Sequence, residues 1–243
     1  MPPAPLPLLG TFHELSLAVA DVRAAVELCE RLGFVQAPTT DAFTHPYGAL
    51  SDGRLCIGLH GRAAPSPTLT FVRPGVAGLV AAYADAGIDL VTCRVGDEEF
   101  HELGFADPAG HAVAVLEART YSPVPRGGTR DSLCGRFEEI SLPAADLAAA
   151  RAFWETLGFV AADTDAASWP HVALTSDFLD LSFHAPAVCP RPMLVFRDAA
   201  LAERVARIEA LGLATRPAPR GGGAGVELAG PGGTALLVLG ADD

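Results

Sequence analysis

Two glutamates interrupt apolar stretches at matching places in this 243-residue sequence. Glu14 lies in "FHELSLAVAD" (12–21) and Glu139 in "FEEISLPAAD" (137–146), and each is followed two residues later by a serine, Ser16 or Ser141. A carboxylate among apolar residues is costly to bury unless it is paired. The glutamates are therefore candidates for a ligand anchor, a metal ligand or a general base, and the alternative is a structural carboxylate bonded to a neighbouring strand.

Two histidines follow at matching places, His60 in "CIGLH" and His184 in "DLSFH". If each approaches the glutamate of its own half, the carboxylate and imidazole could shuttle a proton or anchor a polar ligand. The alternative is that both histidines end a strand and meet water. Because successive strand residues point to opposite faces, further candidates share the face of these histidines. They are Cys56 in the first half, and Asp180 and Ser182 in the second.

Other candidate residues can also be explained without a functional role. His101, in "EEFHELGF", is a candidate for the first half only, because "PRGGGAG" replaces that stretch in the second. Nothing cationic lies near Cys56 in sequence, so a nucleophilic thiol is weakly indicated. The groups "HPY" (45–47) and "WPH" (169–171) could rim a ligand site and stack on a ring, or could start an edge strand packed on the other half.

The elements that position these residues repeat along the chain. "FHELSLAVADVRAAVELCERLGFV" aligns without a gap on "FEEISLPAADLAAARAFWETLGFV". Each half reads as strand, helix and strands, twice over, with helices opened by Asp21 and Asp198 and closed by Gly33 and Gly212. The sequence predicts a first domain at 11–118, a linker at 119–135 and a second domain at 136–240.

Composition narrows the possible partners. Net charge is −12, and all 17 basic residues are arginines, which argues against a nucleic-acid partner. The sequence contains no run long enough to span a membrane and no basic, apolar leader. The five cysteines form no C-x-x-C pair, which favours a reducing cytoplasm. We expect a cytoplasmic protein, monomeric or homodimeric, with a small-molecule ligand that is largely apolar and neutral or cationic.

A strand ending in "AVAD" or "PAAD", a helix ending in "LGF" and a late "DPAG" hairpin resemble the vicinal oxygen chelate superfamily. This superfamily includes glyoxalases, bleomycin-resistance proteins and extradiol dioxygenases. The resemblance implies an α+β fold of tandem glyoxalase-like domains. Each domain would consist of two βαβββ modules whose mixed sheet curls around a cup.

The resemblance also implies where metal-dependent members hold their metal. The first ligand position falls on Glu14 and Glu139. The last falls on Ala114 and Leu237, and the opening strand of the second module offers Thr68 and Pro192. Since a metal needs about three protein ligands, the inherited site is expected to be lost.

The sequence therefore predicts a small-molecule-binding protein of the bleomycin-resistance type, without a cofactor. One alternative is a lyase, isomerase or dioxygenase with a relocated Fe, Mn, Ni or Zn site formed by Glu139, Asp180 and His184, or by Glu14 with His60. Another is a fused pseudo-dimer whose degenerate cups leave a scaffold for partner binding. The candidate ligand-binding residues are Glu14, Ser16, Cys56, His60, His101, Glu139, Ser141, Asp180, Ser182 and His184.

Overall fold

The computed structural model describes residues 8–38, 43–118, 132–162, 171–219 and 224–240. It contains two eight-stranded mixed sheets, one in each half of the sequence. Both follow the same strand order, so the internal repeat in the sequence is a repeat in the fold. The α+β class and the module pattern predicted from the sequence are confirmed.

The first sheet has the order β2-β3-β4-β1-β5-β8-β7-β6. Its strands are β1 (Thr11–Ala18), β2 (Val35–Gln36), β3 (Tyr47–Ser51), β4 (Cys56–His60), β5 (Thr68–Arg73), β6 (Thr92–Arg94), β7 (Glu102–Ala106) and β8 (Ala112–Glu117). Helix α1 (Val22–Arg31) follows β1, and a short 3-10 turn (Val76–Leu79) leads into α2 (Val80–Asp85) after β5. β1 pairs with β4 in parallel and with β5 antiparallel, so β1 lies at the middle of the sheet.

The second sheet has the order β10-β11-β12-β9-β13-β16-β15-β14. Its strands are β9 (Arg136–Pro143), β10 (Val160–Ala161), β11 (His171–Thr175), β12 (Asp180–His184), β13 (Met193–Asp198), β14 (Thr215–Pro217), β15 (Gly225–Ala229) and β16 (Ala235–Gly240). Helices α3 (Leu147–Thr156) and α4 (Leu201–Ala210) occupy the places of α1 and α2. β9 is the counterpart of β1 and again lies between a parallel and an antiparallel neighbour.

The helix ends show which capping predictions were correct. The Asp21 carboxylate accepts the amide N–H of Ala24, and Gly33 follows α1 with a φ of 89°, a left-handed conformation that favours glycine. Asp198 does not cap α4 as predicted. The helix begins three residues later, at Leu201, because the Asp198 carboxylate accepts the N–H of Ala200 and also binds Arg204.

One apolar core joins the two halves. Buried residues of both sheets belong to the same cluster, and Phe34 packs edge-on against Phe196 across the junction, with ring centroids 6.2 Å apart. The indole N–H of Trp154 donates to the Asp107 carboxylate of the other half (3.2 Å). The two halves therefore pack against each other through the apolar faces of their sheets. The opposite face of each sheet carries the candidate site residues.

Most of the predicted linker, 119–131, lies outside the described residues. Its last four residues, 132–135, are packed on the first half. The Leu133 amide donates to the Leu32 carbonyl (2.7 Å), and Ser132 and Cys134 are fully buried. Within the described part of the chain, no helix is long and apolar enough to cross a membrane.

Candidate functional site

The strand registers decide which residues share the face of Glu14. Ser16 lies beside Gly58 on β4, and Glu14 lies opposite Thr70 on β5. Tyr47 on β3 lies opposite His60. This face of the first sheet, with Glu14, Ser16, His60, Thr68 and Thr70 on its floor, is called the first cup. The alternation read from the sequence placed Glu14, Ser16, Cys56 and His60 together, and the registers agree.

The first cup encloses a cavity of about 440 Å³. Its floor is polar, at Glu14, Ser16, His60 and the threonines, and its far wall on β8 is lined by small residues such as Ala112 and Ala114. Three large apolar side chains at the mouth are exposed to solvent: Phe43 by 39%, Val91 by 80% and Phe100 by 64%. Exposed apolar residues gathered around one cavity are typical of a ligand site.

Glu14 is buried, and its carboxylate accepts three hydrogen bonds. The Tyr47 hydroxyl donates to Oε2 (2.6 Å), while the Ser16 hydroxyl (2.7 Å) and His60 Nε2 (3.1 Å) donate to Oε1. Burial by itself would raise the pKa of this carboxyl, but the hydrogen bonds from His60, Tyr47 and Ser16 outweigh it and lower the pKa. Glu14 is therefore an ionised carboxylate at the floor of an enclosed cavity.

The carboxylate also fixes the tautomer of His60. With Nε2 donating to Glu14, Nδ1 of the neutral His60 ring accepts the Nε2–H of His45 (3.0 Å). His45 lies nearer the surface, where burial and then the positive charge of Arg62 lower its pKa. The sequence singled out "HPY" only as a possible rim, and its histidine and tyrosine in fact belong to the hydrogen-bond network of Glu14.

The carboxylate lies directly over Gly58. A β-carbon added at Gly58 would lie 2.2 Å from Glu14 Oε1 and 2.4 Å from Oε2. Any larger residue at this position would move the carboxylate away from its donors. In the second half, the corresponding register position on β12 is Ser182, which lies beside Ser141 as Gly58 lies beside Ser16.

The equivalent face of the second sheet, called the second cup, carries Glu139, Ser141, Ser182 and His184. Its β13 and β16 positions are filled by an apolar cluster separate from the main core. Val195 lies opposite Glu139, and Leu237 lies beside Val195. The segment between β12 and β13 covers this cluster with Cys189, and its Arg191 pairs with Glu227 of β15. The side of the second cup formed by β13 and β16 is thus occupied by the protein's own side chains.

The hydrogen bonds of the second cup give its glutamate fewer donors than Glu14 has. The Cys189 carbonyl can only accept, so His184 Nε2 donates to it (2.9 Å) and Nδ1 accepts from Ser141 (2.8 Å). The Ser182 hydroxyl lies within donating distance of two acceptors, Glu139 Oε1 (2.7 Å) and the Ser141 hydroxyl oxygen (2.8 Å). Burial raises the pKa of Glu139 to about 7, because the Ser182 hydroxyl is its sole hydrogen-bond partner among the described residues.

The remaining candidates do not line the first cavity. The Cys56 thiol is on the cup face but buried, and burial followed by the charges of Glu14 and Asp52 raises its pKa to about 12. His101 lies outside the cup, because its neighbour Glu102 takes the cup-facing position of β7; the His101 ring contacts the Gly96 carbonyl and Glu117. Asp180 accepts the hydroxyl of Thr175 (2.6 Å). Trp169 and Pro170 of "WPH" lie outside the described residues.

The positions expected from metal-dependent relatives do not provide a ligand set. Thr70 lies opposite Glu14 and beside Ala114, while Thr68 lies opposite Ser16. In the second half, Val195 lies opposite Glu139 and beside Leu237, and Pro192 precedes β13. At the alternative site of Glu139, Asp180 and His184, both ring nitrogens of His184 are hydrogen-bonded, to Ser141 and to the Cys189 carbonyl. Over the described residues, no three His, Cys, Asp or Glu side chains are placed to hold a metal ion.

Comparison with known proteins identifies the fold. No family model matches the chain, and no curated protein matches it significantly by sequence. Among solved structures, it is similar to homoprotocatechuate 2,3-dioxygenase from Arthrobacter globiformis, with a TM-score of 0.65 and 15% identity over 100% of this chain and 83% of that one. It is also similar to the 2,3-dioxygenase LapB from Pseudomonas sp. KL28, with a TM-score of 0.64 and 14% identity over 97% and 93%.

These similarities extend over nearly the whole length of each chain. The protein therefore has the two-domain fold of the extradiol dioxygenases, which is the vicinal oxygen chelate fold expected from its sequence motifs. At this level of identity the likeness establishes the fold and not the reaction, since one fold hosts many functions.

Proposed function

We propose that the protein binds a small, largely apolar molecule in its first cup and holds it through Glu14. The observation that carries the proposal is an ionised carboxylate on the floor of a cavity of about 440 Å³ whose mouth is apolar. Cavities of roughly 300 to 1,000 Å³ with a few convergent polar groups are the usual size and make-up of small-molecule sites.

The chemistry of Glu14 defines the ligand. A carboxylate offers about four acceptor positions, and three of those on Glu14 are used by Tyr47, Ser16 and His60. A ligand that presents an O–H, an N–H or a positive charge would fill the remaining one. An ionised group in a poorly solvated place favours a cation or a neutral donor over an anion, which agrees with the net charge of −12.

Ligand-induced thermal stabilisation tests the proposal. A panel of neutral and cationic aromatic compounds, such as phenols and arylamines, is screened for an increase in Tm. We expect hits whose stabilisation is lost in Glu14→Gln and kept in Glu139→Gln, a matched change in the second cup. Each variant is compared with its own unliganded form, so a general loss of stability does not affect the result. Stabilisation that persists in Glu14→Gln would place the ligand elsewhere and refute the proposal.

A second candidate is metal-dependent chemistry of the lyase, isomerase or dioxygenase type, favoured by the likeness of fold to extradiol dioxygenases. Elemental analysis of protein purified without chelator separates it from pure binding. We expect no stoichiometric Fe, Mn, Ni or Zn, because neither cup gathers three ligating side chains in the described structure. A stoichiometric metal that disappears in Glu14→Ala or Glu139→Ala would instead support the enzyme.

We also propose a reducing, cytoplasmic location. All five cysteines are free thiols, and four of them are buried. Disulfide-free chains of this kind are typical of the cytoplasm.

A further inference from the structure

A second pocket, called the junction pocket, lies where the second sheet meets the first half. Its volume is about 300 Å³. Phe12 of β1, Phe137 of β9 and Phe178 of the β11–β12 turn supply aromatic walls. The pocket is separate from the first cup, since no residue lines both cavities. It is large enough for a single substituted ring.

Two arginines from different halves line this pocket. Arg54 lies in the turn between β3 and β4, and Arg136 begins β9. Both are exposed, and neither side chain has an ion pair or hydrogen bond to another described residue. Arg191, Arg197 and Arg204, by contrast, are each bound to a carboxylate. Two unpaired guanidinium groups at one pocket are unusual in a chain with 29 acidic residues and 17 arginines.

The acidic groups at the junction pocket cancel part of this positive charge, and Asp52 also interacts electrostatically with Arg54. Glu138 is bound to Arg197 (2.7 Å), and Asp180 accepts the hydroxyl of Thr175. Glu139 borders the pocket, and its Oε2 has no hydrogen-bond partner within the described part of the chain. The raised pKa of Glu139 allows its carboxyl to be protonated near neutral pH, and a protonated carboxyl can donate a hydrogen bond to an anion.

We propose that the junction pocket binds a small aromatic carboxylate, with its carboxylate held by Arg54 and Arg136 and its ring against the phenylalanine walls. Guanidinium groups bind carboxylates with charge-assisted and often bidentate hydrogen bonds. The ring would add apolar contact that an inorganic anion cannot make. This site is independent of the first cup, so either proposal can fail without the other.

Benzoate is a suitable probe, titrated into the full chain by calorimetry or by ligand-observed NMR. We expect saturable binding that weakens at least tenfold in Arg54→Gln and in Arg136→Gln, with partial recovery in Arg54→Lys. Benzyl alcohol, the uncharged counterpart, should bind at least tenfold more weakly. Because both arginines are exposed, their variants should keep the Tm of the parent.

Three outcomes would overturn the proposal. Benzoate binding that is unchanged in both arginine variants would place the anion elsewhere. Sulfate that competes as strongly as benzoate would show a simple anion site without selectivity for an aromatic acid. Benzoate binding lost in Glu14→Gln but kept in Arg54→Gln would assign the ligand to the first cup.

Discussion

The two cups share one strand order and one glutamate position but differ in what surrounds the carboxylate. In the first cup, Tyr47, Ser16 and His60 all donate toward Glu14, which stabilises the charged form. In the second, the Ser182 hydroxyl is the sole donor to Glu139 among the described residues, and one donor does not offset the effect of burial. Burial raises the pKa of both carboxyls, and the opposite net shifts follow from the number of donors, three at Glu14 and one at Glu139, that counter it.

The cups also differ in the size of the side chains that surround the glutamate. Thr70 and Ala114 stand beside Glu14, whereas Val195 and Leu237 stand beside Glu139. The larger side chains belong to a buried cluster in the second cup, and the smaller ones leave the cavity of the first. Filling a cup with apolar residues converts a binding surface into a second core, which stabilises the fold and removes the site.

The largest expected effect comes from exchanging the wall residues. Leu237 is fully buried, so Leu237→Ala should lower the free energy of unfolding by about 2–5 kcal/mol. Ala114→Leu fills the first cavity and should change stability by less than about 1.5 kcal/mol while abolishing ligand binding. Urea unfolding measures the first effect and the thermal-shift screen measures the second. Equal losses of stability in the two variants would mean that the first cup is packed as tightly as the second.

An intermediate effect concerns pH. Because the folded-state pKa of Glu139 is raised to about 7, its contribution to stability is present below about pH 4.5 and is lost as the pH rises to 7. We expect the free energy of unfolding to fall by about 1–3 kcal/mol over this range. The fall should be smaller in Glu139→Gln, which lacks the titrating carboxyl. Glu14 has the opposite sign: its lowered pKa gives stability above its ordinary pKa that is lost as acid protonates the folded state. Equal pH profiles for parent and Glu139→Gln would contradict the neutral-glutamate assignment.

The smallest expected effect tests the position of Glu14 over β4. Gly58→Ala would press its β-carbon against the carboxylate, which can swing aside because it ends a flexible side chain. Lost hydrogen bonds to a charged group should cost about 1–3 kcal/mol, and ligand binding should weaken. Ser182→Ala in the second cup is the matched control, expected to cost about 1 kcal/mol with no effect on binding. Unaltered binding in Gly58→Ala would show that the carboxylate needs no precise placement.

Much of the fold could be predicted from the sequence because it follows from local patterns. The repeat of Glu14 at Glu139, the alternation in both opening strands and the caps at Asp21 and Gly33 each depend on a few neighbouring residues. Strand register, by contrast, does not follow from neighbouring residues alone. The alignment chose Thr68, but the irregular pairing between Phe12 and Glu14 brings Thr70 to the glutamate, and such a bulge leaves no clear mark in the sequence.

The candidate site was predicted in outline and missed in detail. Glu14 and His60 meet at 3.1 Å, as the shared face suggested. The matching pair in the second half does not form, since His184 is bound by Ser141 and the Cys189 carbonyl. The sequence did indicate that the second cup is filled, because its cup-facing positions are apolar: Met193, Val195, Leu237 and Leu239. Such positions indicate a filled face only after the strand order is known.

The shared core has a consequence for how the duplicated chain can change. One buried cluster contains residues of both halves, among them Phe34, Trp154 and Phe196. Removing either half would therefore expose the apolar face of the other. The protein should unfold in one cooperative step and resist being split between its sheets. Substitutions on the cup faces escape this constraint. After duplication the two halves thus differ in role. The first half keeps a cavity open to solvent, and the second half, with apolar side chains in its cup, supports it structurally.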